Sequence, residues 1–144
     1  MKRGVGLEYR LVVDFDDVDY ARVVYFARYL AFAEKAQAQV LRKYNLSHKR
    51  MAEQYNVATP VIRSEFSYLS PARLDDELII HARIEHLSAK GFECEYKIIR
   101  AEQEKLICTG KTHHRFIDLE SFKATEISGD LYRIFDTIRK EVRV

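Results

Sequence analysis

Apolar positions recur in two rhythms along this chain, and the change of rhythm divides it. Residues 7–15 alternate, with Leu7, Tyr9, Leu11, Val13 and Phe15 on one side and Glu8, Arg10, Val12 and Asp14 on the other. Period two marks a half-buried strand. Residues 16–22 break the alternation and are polar. From about Val24 to Tyr44 the period lengthens. At ~100° per residue, Arg28, Lys35, Gln39, Arg42 and Lys43 fall on one polar stripe. Phe26, Tyr29, Leu30, Ala33, Val40, Leu41 and Tyr44 lie opposite. The pattern predicts a helix of roughly 20 residues, ~30 Å long. Its apolar sector is wide, so other elements must wrap most of it. Two polar residues interrupt that sector: Gln37 in its middle and Glu34 at its margin. "NLSHKRMAEQYN" then reads as a turn and a short second helix, with Ser47 as N-cap.

Between Ala58 and Asp118 the period returns to two. Ile62, Ser64, Phe66 and Tyr68 form one such set; Leu78, Ile80, Ala82, Ile84 and His86 form the next. Phe92, Cys94, Tyr96 and Ile98 follow, then Leu106, Cys108, Gly110, Thr112, His114 and Phe116. The connections "SPARLDDE", "SAKG" and "AEQEK" are short and polar, which predicts hairpin neighbours in an antiparallel sheet. The tail from about Ser128 to Val144 is amphipathic with helical spacing. One long helix facing a sheet of alternating strands is the two-layer α+β solution, and the helix's wide apolar sector predicts a sheet that curls around it. No repeat, low-complexity segment or linker interrupts residues 1–144, which read as a single domain.

Composition narrows the classes. With 47% hydrophobic and 32% charged residues, the chain reads as an ordinary folded protein with a real core. A net charge of +2 gives no argument for nucleic acid. "MKRGVGLEYR" lacks an apolar stretch after its basic residues, so it is not read as a signal peptide. No run of 18 apolar residues exists to span a membrane. Cys94 and Cys108, the only cysteines, form no C-x-x-C pair. The expectation is a reduced, cytoplasmic compartment.

The densest chemistry lies in "VDFDDVDYARVVYF", residues 13–26, where Asp14, Asp16, Asp17 and Asp19 crowd together. A calcium loop needs a glycine at its sixth position and a glutamate at its twelfth. Counted from Asp14 these are Asp19 and Tyr25, so that reading fails. His113 and His114 are adjacent on a strand and point to opposite faces, so they cannot chelate one ion together. No metal site is expected. G-x-S-x-G and glycine-rich phosphate loops are absent, and both cysteines fall on core faces, where a thiol acts as a small hydrophobe. What remains is a group of carboxylates before a long helix whose entry, "RVVYF", is apolar. Carboxylates are favoured at a helix N-terminus by its dipole alone. A covered N-terminus also offers unpaired N–H groups that could polarise a carbonyl, beside an acid able to act as base or nucleophile.

"DFDDVDYARVVYFARYLAFAEKA" resembles the signature of the 4-hydroxybenzoyl-CoA thioesterase family of hotdog-fold acyl-CoA thioesterases, whose pattern is roughly D-T-D-x-x-G-V-V-Y-x-x-x-Y-x-x-x-x-E-x-A-R. "SYLSPARLDDELIIHARI" resembles the next shared stretch, especially in the subgroup associated with the Tol-Pal cell-envelope system. The resemblance spans about residues 7–125. It implies a curved antiparallel sheet around a central helix, and hydrolysis of an acyl-CoA to free acid and coenzyme A. Coenzyme A is then part of the substrate, and no cofactor is needed. Asp17 and Asp19 match the two aspartates of D-x-D, with the second as the catalytic carboxylate. The carbonyl-polarising amide falls on the backbone N–H of Phe26. Val24 and Tyr25, in V-V-Y, line the substrate. Arg63, Arg73, Arg83, Lys90 and Lys111 are candidates for the phosphates of coenzyme A. Tyr29 and Glu34 match the helix Tyr and Glu, the latter expected to hold a buried partner.

Three departures stand out: Arg22 replaces the glycine before V-V-Y, Phe26 a position that is often His in the subgroup, and Gln37 the closing Arg. Arg22 requires a turn conformation open to a side chain. The family also implies a homodimer joined edge to edge, often paired further into a tetramer, with sites between subunits. Two alternatives remain: a hydratase on the same fold, which needs a histidine near the helix start, and a non-catalytic protein that binds acyl-CoA or acyl carrier protein.

Overall fold

The structure, a computed structural model describing residues 7–143, is built on one five-stranded antiparallel sheet. In chain order its strands are β1 (Glu8–Val12), β3 (Val61–Tyr68), β4 (Glu77–Glu85), β5 (Gly91–Arg100) and β6 (Lys105–Arg115). In space they run β1-β4-β5-β6-β3. The two-residue strands β2 (Val57–Ala58) and β7 (Ile117–Asp118) pair separately. Helix α1 (Arg28–Lys43) packs on one face of the sheet, α2 (His48–Arg50) follows it, and α3 (Gly129–Glu141) ends the fold. The N-terminal stretch "MKRGVG" lies outside the described residues, as does Val144.

Alternation explains the layers. Leu78, Ile80, Ala82 and Ile84 of β4 and Phe92, Cys94, Tyr96 and Ile98 of β5 face inward and are buried. Against them α1 buries Tyr29, Phe32, Ala33, Ala36, Val40 and Leu41. The far end is closed by α3 through Leu131, Phe135 and Ile138. Phe135 meets Phe92 at 5.0 Å and Phe116 at 5.3 Å between ring centroids. Aromatic pairs at such spacing add about 0.5–1.5 kcal/mol beyond their burial. Ser47 caps α2 as expected, its Oγ accepting from the Arg50 N–H at 3.0 Å.

Four expectations are corrected. The "SPARLDDE" connection does not make a hairpin: β1 takes the edge of β4, so β3 pairs with β6 at the opposite end of the sheet. The first strand ends at Val12. Val13 then exchanges backbone bonds with Asp75 and Asp76, and Phe15, counted among the inward residues, is 83% exposed. The long helix begins at Arg28, because Val23 and Val24 are held extended against Arg73 and Val18, as suits β-branched residues. Glu34 is exposed and has no partner among the described residues.

Gln37, the other misplaced polar residue, is buried and bonded. Its amide nitrogen donates to Tyr96 Oη at 2.9 Å and to His114 Nε2 at 3.2 Å. Tyr96 Oη and Thr112 Oγ1 are 2.9 Å apart, and Thr112 Oγ1 and His114 Nε2 are 2.7 Å apart. His114 Nδ1 faces the Thr59 carbonyl at 2.9 Å. A carbonyl only accepts, so Nδ1 carries the proton and the neutral ring accepts at Nε2. The direction of the whole chain follows: Gln37 to Tyr96, Tyr96 to Thr112, Thr112 to His114, His114 to Thr59. Five residues from α1, β5, β6 and the loop before β3 thus fix where α1 lies on the sheet.

Candidate active site

The acidic segment folds back on itself before α1. Val18 bridges Val24, the Asp19 N–H donates to the Val23 carbonyl at 2.9 Å, and the Tyr25 N–H donates to the Asp17 carbonyl at 2.9 Å. The limb carrying the acids therefore runs antiparallel to the limb that enters the helix. The turn between them closes with the Arg22 N–H donating to the Asp19 carbonyl at 2.8 Å, and Arg22 has φ 69°. This is the left-handed conformation of a bulged hairpin, where glycine is favoured. Arg22 adopts it despite its side chain, which corrects the expectation of a turn made easy for one. The second limb docks on the loop after β3: Val23 bridges Arg73, and the Val24 N–H reaches the Ala72 carbonyl at 2.8 Å.

The two aspartates of D-x-D have different surroundings. Asp17 is 5% exposed. Its Oδ1 receives Arg28 Nε at 2.9 Å and its Oδ2 receives the Asp14 N–H at 2.8 Å, so both oxygens are held. Asp19 is half-buried, and its Oδ1 receives the Ala21 N–H at 2.8 Å. Its Oδ2 has no partner among the described residues. Oxygen atoms of Asp14, Asp16 and Asp17 lie within 4.8 Å of one another. Among the described residues, Arg28 is the cation paired with this group, through Asp17.

Where the second limb meets α1, the Tyr25 N–H is bonded, whereas the Phe26 and Ala27 N–H groups have no acceptor among the described residues. These are the open donors of a helix N-terminus, with the helix dipole behind them. Aromatic rings surround the spot. Phe26 lies 4.9 Å from Tyr25 and 6.3 Å from Tyr68, and Tyr68 lies 5.6 Å from the buried Tyr29. Tyr25, Phe26 and Tyr68 are 44%, 59% and 52% exposed, which leaves an open aromatic patch. Burial raises the Tyr29 phenol to about 12, so it stays protonated at neutral pH. Burial likewise raises the thiols of Cys94 to about 11 and Cys108 to about 12, so neither is a ready nucleophile.

The fold thus gathers Asp19, Tyr25, Phe26 and Arg73 at one end of α1. Val24 belongs to the same segment, but its side chain is buried in the core. Arg63 and Arg83 stand on the outer sheet face, paired to Glu65 and to Glu85 and Glu95. Lys90 and Lys111 are exposed, and Lys111 lies in register between Glu65 and Glu95. Tyr68 escaped the sequence reading. There it counts only in the alternation of its strand, and its meeting with Phe26 depends on a contact far apart in sequence.

An antiparallel sheet around one long helix, with an acidic turn at the helix entry, is the hotdog arrangement. The chain belongs to the thioesterase-like superfamily, whose model matches residues 13–135, and it is an enzyme of the thioester hydrolase class. It is 27% identical over 137 residues to the 1,4-dihydroxy-2-naphthoyl-CoA hydrolase of Nostoc punctiforme, covering 95% of this chain and 91% of that one. It is 37% identical over 95 residues to the acyl-CoA thioester hydrolase YbgC of Escherichia coli, covering 65% and 69%. The crystal structure of a 1,4-dihydroxy-2-naphthoyl-CoA thioesterase from Synechocystis superposes with a TM-score of 0.82 at 27% identity, covering 94% and 96%. Among the described residues, no helix is long and apolar enough to cross a membrane.

Proposed function

We propose that this chain hydrolyses acyl-CoA thioesters, with Asp19 as the reacting carboxylate and the Phe26 N–H as the carbonyl-polarising donor. One observation carries the reading: Asp19 Oδ2 and the Phe26 N–H stand open on adjoining limbs whose neighbouring groups, on Asp17 and Tyr25, are already bonded. The thioester oxygen approaches the open amides, which stabilise the negative charge that develops on it. Asp19 takes a proton from the attacking water, or attacks the carbonyl itself to form an anhydride that water then opens. In both routes the carbon–sulfur bond breaks, and the thiolate of coenzyme A leaves and is protonated. The exposed rings of Tyr25, Phe26 and Tyr68 suit a planar apolar acyl group. This agrees with the naphthoyl group in the names of two relatives.

Within the superfamily, the "DVD" and "VVY" residues favour the 4-hydroxybenzoyl-CoA branch, and "SPARLDDE" favours the Tol-Pal-associated subgroup. The working unit would be a dimer, because β3 is a free edge of eight residues with Ile62 55% exposed. An unpaired edge of that length invites a second strand, and pairing two copies there would bring a second chain beside Tyr68. The free thiols Cys94 and Cys108 fit a reducing compartment such as the cytoplasm.

The test is thiol release from a panel of coenzyme A thioesters: 1,4-dihydroxy-2-naphthoyl, benzoyl, short-chain and long-chain. Turnover is expected, fastest with the aromatic members. Release from none of them overturns the hydrolase reading, and a preference for aliphatic members overturns the choice of acyl group.

A further inference from the structure

We propose that Arg22 and Arg73 form a two-pronged clamp for the phosphate groups of coenzyme A at the rim of the Asp19 turn, an inference that rests on the acyl-CoA reading above. The first observation is conformational. Arg22 holds φ 69° where the hairpin geometry favours glycine. A β-carbon is disfavoured in the left-handed region, so a long cationic side chain stands here against a local preference. Seven other non-glycine residues among those described also have positive φ, but Arg22 is the one at the turn that carries Asp19.

The second observation is electrostatic. Among the described residues, the guanidinium groups of Arg22, Arg42, Arg73 and Arg115 make no hydrogen bond or ion pair, while the other arginines are engaged by acids, carbonyls or an amide oxygen. Two of these four lie on the segments joined by the Val23–Arg73 bridge, beside Asp19. Arg42 is at the C-terminal end of α1 and Arg115 at the end of β6. Of the acids in the loop that carries Arg73, Asp76 is taken up by the Arg73 N–H at 2.8 Å and by Arg100 at 3.6 Å, whereas Asp75 is exposed.

The chemistry follows from the side chains. A guanidinium presents a rigid fork that matches phosphate oxygens bidentately, and two forks on adjoining segments match a pyrophosphate or phosphomonoester. Anchoring at this rim leaves the thioester end free to reach the open amides at the start of α1. Arg22 thereby gains a role that a glycine at the same position could not fill.

The experiment compares one acyl group carried on coenzyme A and on pantetheine, which keeps the arm but lacks the nucleotide phosphates. In Arg22→Gly and in Arg73→Ala, the ratio of kcat/KM for the coenzyme A ester to that for the pantetheine ester is expected to fall about tenfold, through KM. Arg42→Ala, an equally unpartnered arginine elsewhere, is expected to leave the ratio unchanged. Calorimetric binding of coenzyme A itself is expected to weaken about tenfold in Arg22→Gly. That variant relieves strain and should melt no lower than wild type, so loss of fold does not confuse the result. An unchanged ratio with unchanged binding overturns the clamp while leaving the hydrolase reading in place. If wild type hydrolyses neither ester, the hydrolase reading falls and binding alone decides: weaker binding in Arg22→Gly supports the clamp, and equal or absent binding overturns it.

Discussion

Helix α1 carries polar chemistry at two places, and they are treated in opposite ways. In its middle, Gln37 enters a closed chain of donors and acceptors with Tyr96, Thr112 and His114, ending on the Thr59 carbonyl. At its entry, the Phe26 and Ala27 N–H groups and one oxygen of Asp19 have no partner among the described residues. Burying polar groups is tolerable only when they are paired, so the middle of the helix is a structural joint. The open donors beside the half-buried acid lie at an exposed surface, where water or a ligand can meet them. The contrast separates what holds the helix from what the helix holds ready.

Among variants that leave the acid in place, the largest effect is expected from removing an open donor. Phe26→Pro deletes the amide hydrogen at a helix entry where proline is tolerated, and it should lower kcat about 10²–10³-fold. Phe26→Ala keeps the amide and loses only the ring, so its loss should stay within about tenfold. Equal losses in the two variants would dissolve the distinction between amide and side chain. At the closed joint the expected effect is on stability. Gln37→Leu leaves Tyr96 and His114 short of a buried donor and should cost about 1–3 kcal/mol in urea denaturation.

The joint should also respond to acid. Burial holds His114 below its ordinary value, and His48 and His113 nearby oppose its protonation further, while the Thr59 carbonyl favours it. His114 is inward among Phe92, Gln37, Tyr96 and Thr112, none of them charged at neutral pH. A depressed folded value means that the unfolded chain binds the proton more readily. The stabilising contribution is therefore complete above about pH 6.5, the reference value, and declines as the pH falls below it. Urea midpoints should drop between pH 7 and pH 5, and His114→Gln should flatten that drop, leaving the part due to His81, which burial also lowers. The smallest effect is at the turn: Arg22→Gly should gain about 0.5–1 kcal/mol of stability by relieving a left-handed side chain.

Much of this was legible before any coordinates. Helical spacing singled out Gln37, and D-x-D with V-V-Y singled out Asp19 and Phe26. Less visible was anything decided by contacts distant in sequence. Val24 fits the helical period, yet it bridges Val18 and donates to the Ala72 carbonyl, while Val23 bridges Arg73, 50 positions further on, so both remain extended. The partners of Gln37 come from β5 and β6, so spacing could flag the residue but not complete its network. Glu34 shows the converse: its place on the wheel suggested a buried partner, but the described chain leaves it facing solvent. The strand order failed for the same reason, since the short loop after β3 says nothing of β1 arriving at the edge of β4.

The proposed mechanism turns on the contrast between Asp17, locked by Arg28 and the Asp14 N–H, and Asp19, open at one oxygen among the described residues. The direct test measures thiol release and melting temperature for Asp19→Asn and Asp17→Asn side by side. Asp19→Asn should lose about 10²–10⁴-fold in rate with little change in melting. Asp17→Asn should melt lower, by the ~1–3 kcal/mol of a broken charged hydrogen bond, while keeping most of its activity. Full activity in Asp19→Asn, or a rate collapse confined to Asp17→Asn, would contradict the assignment.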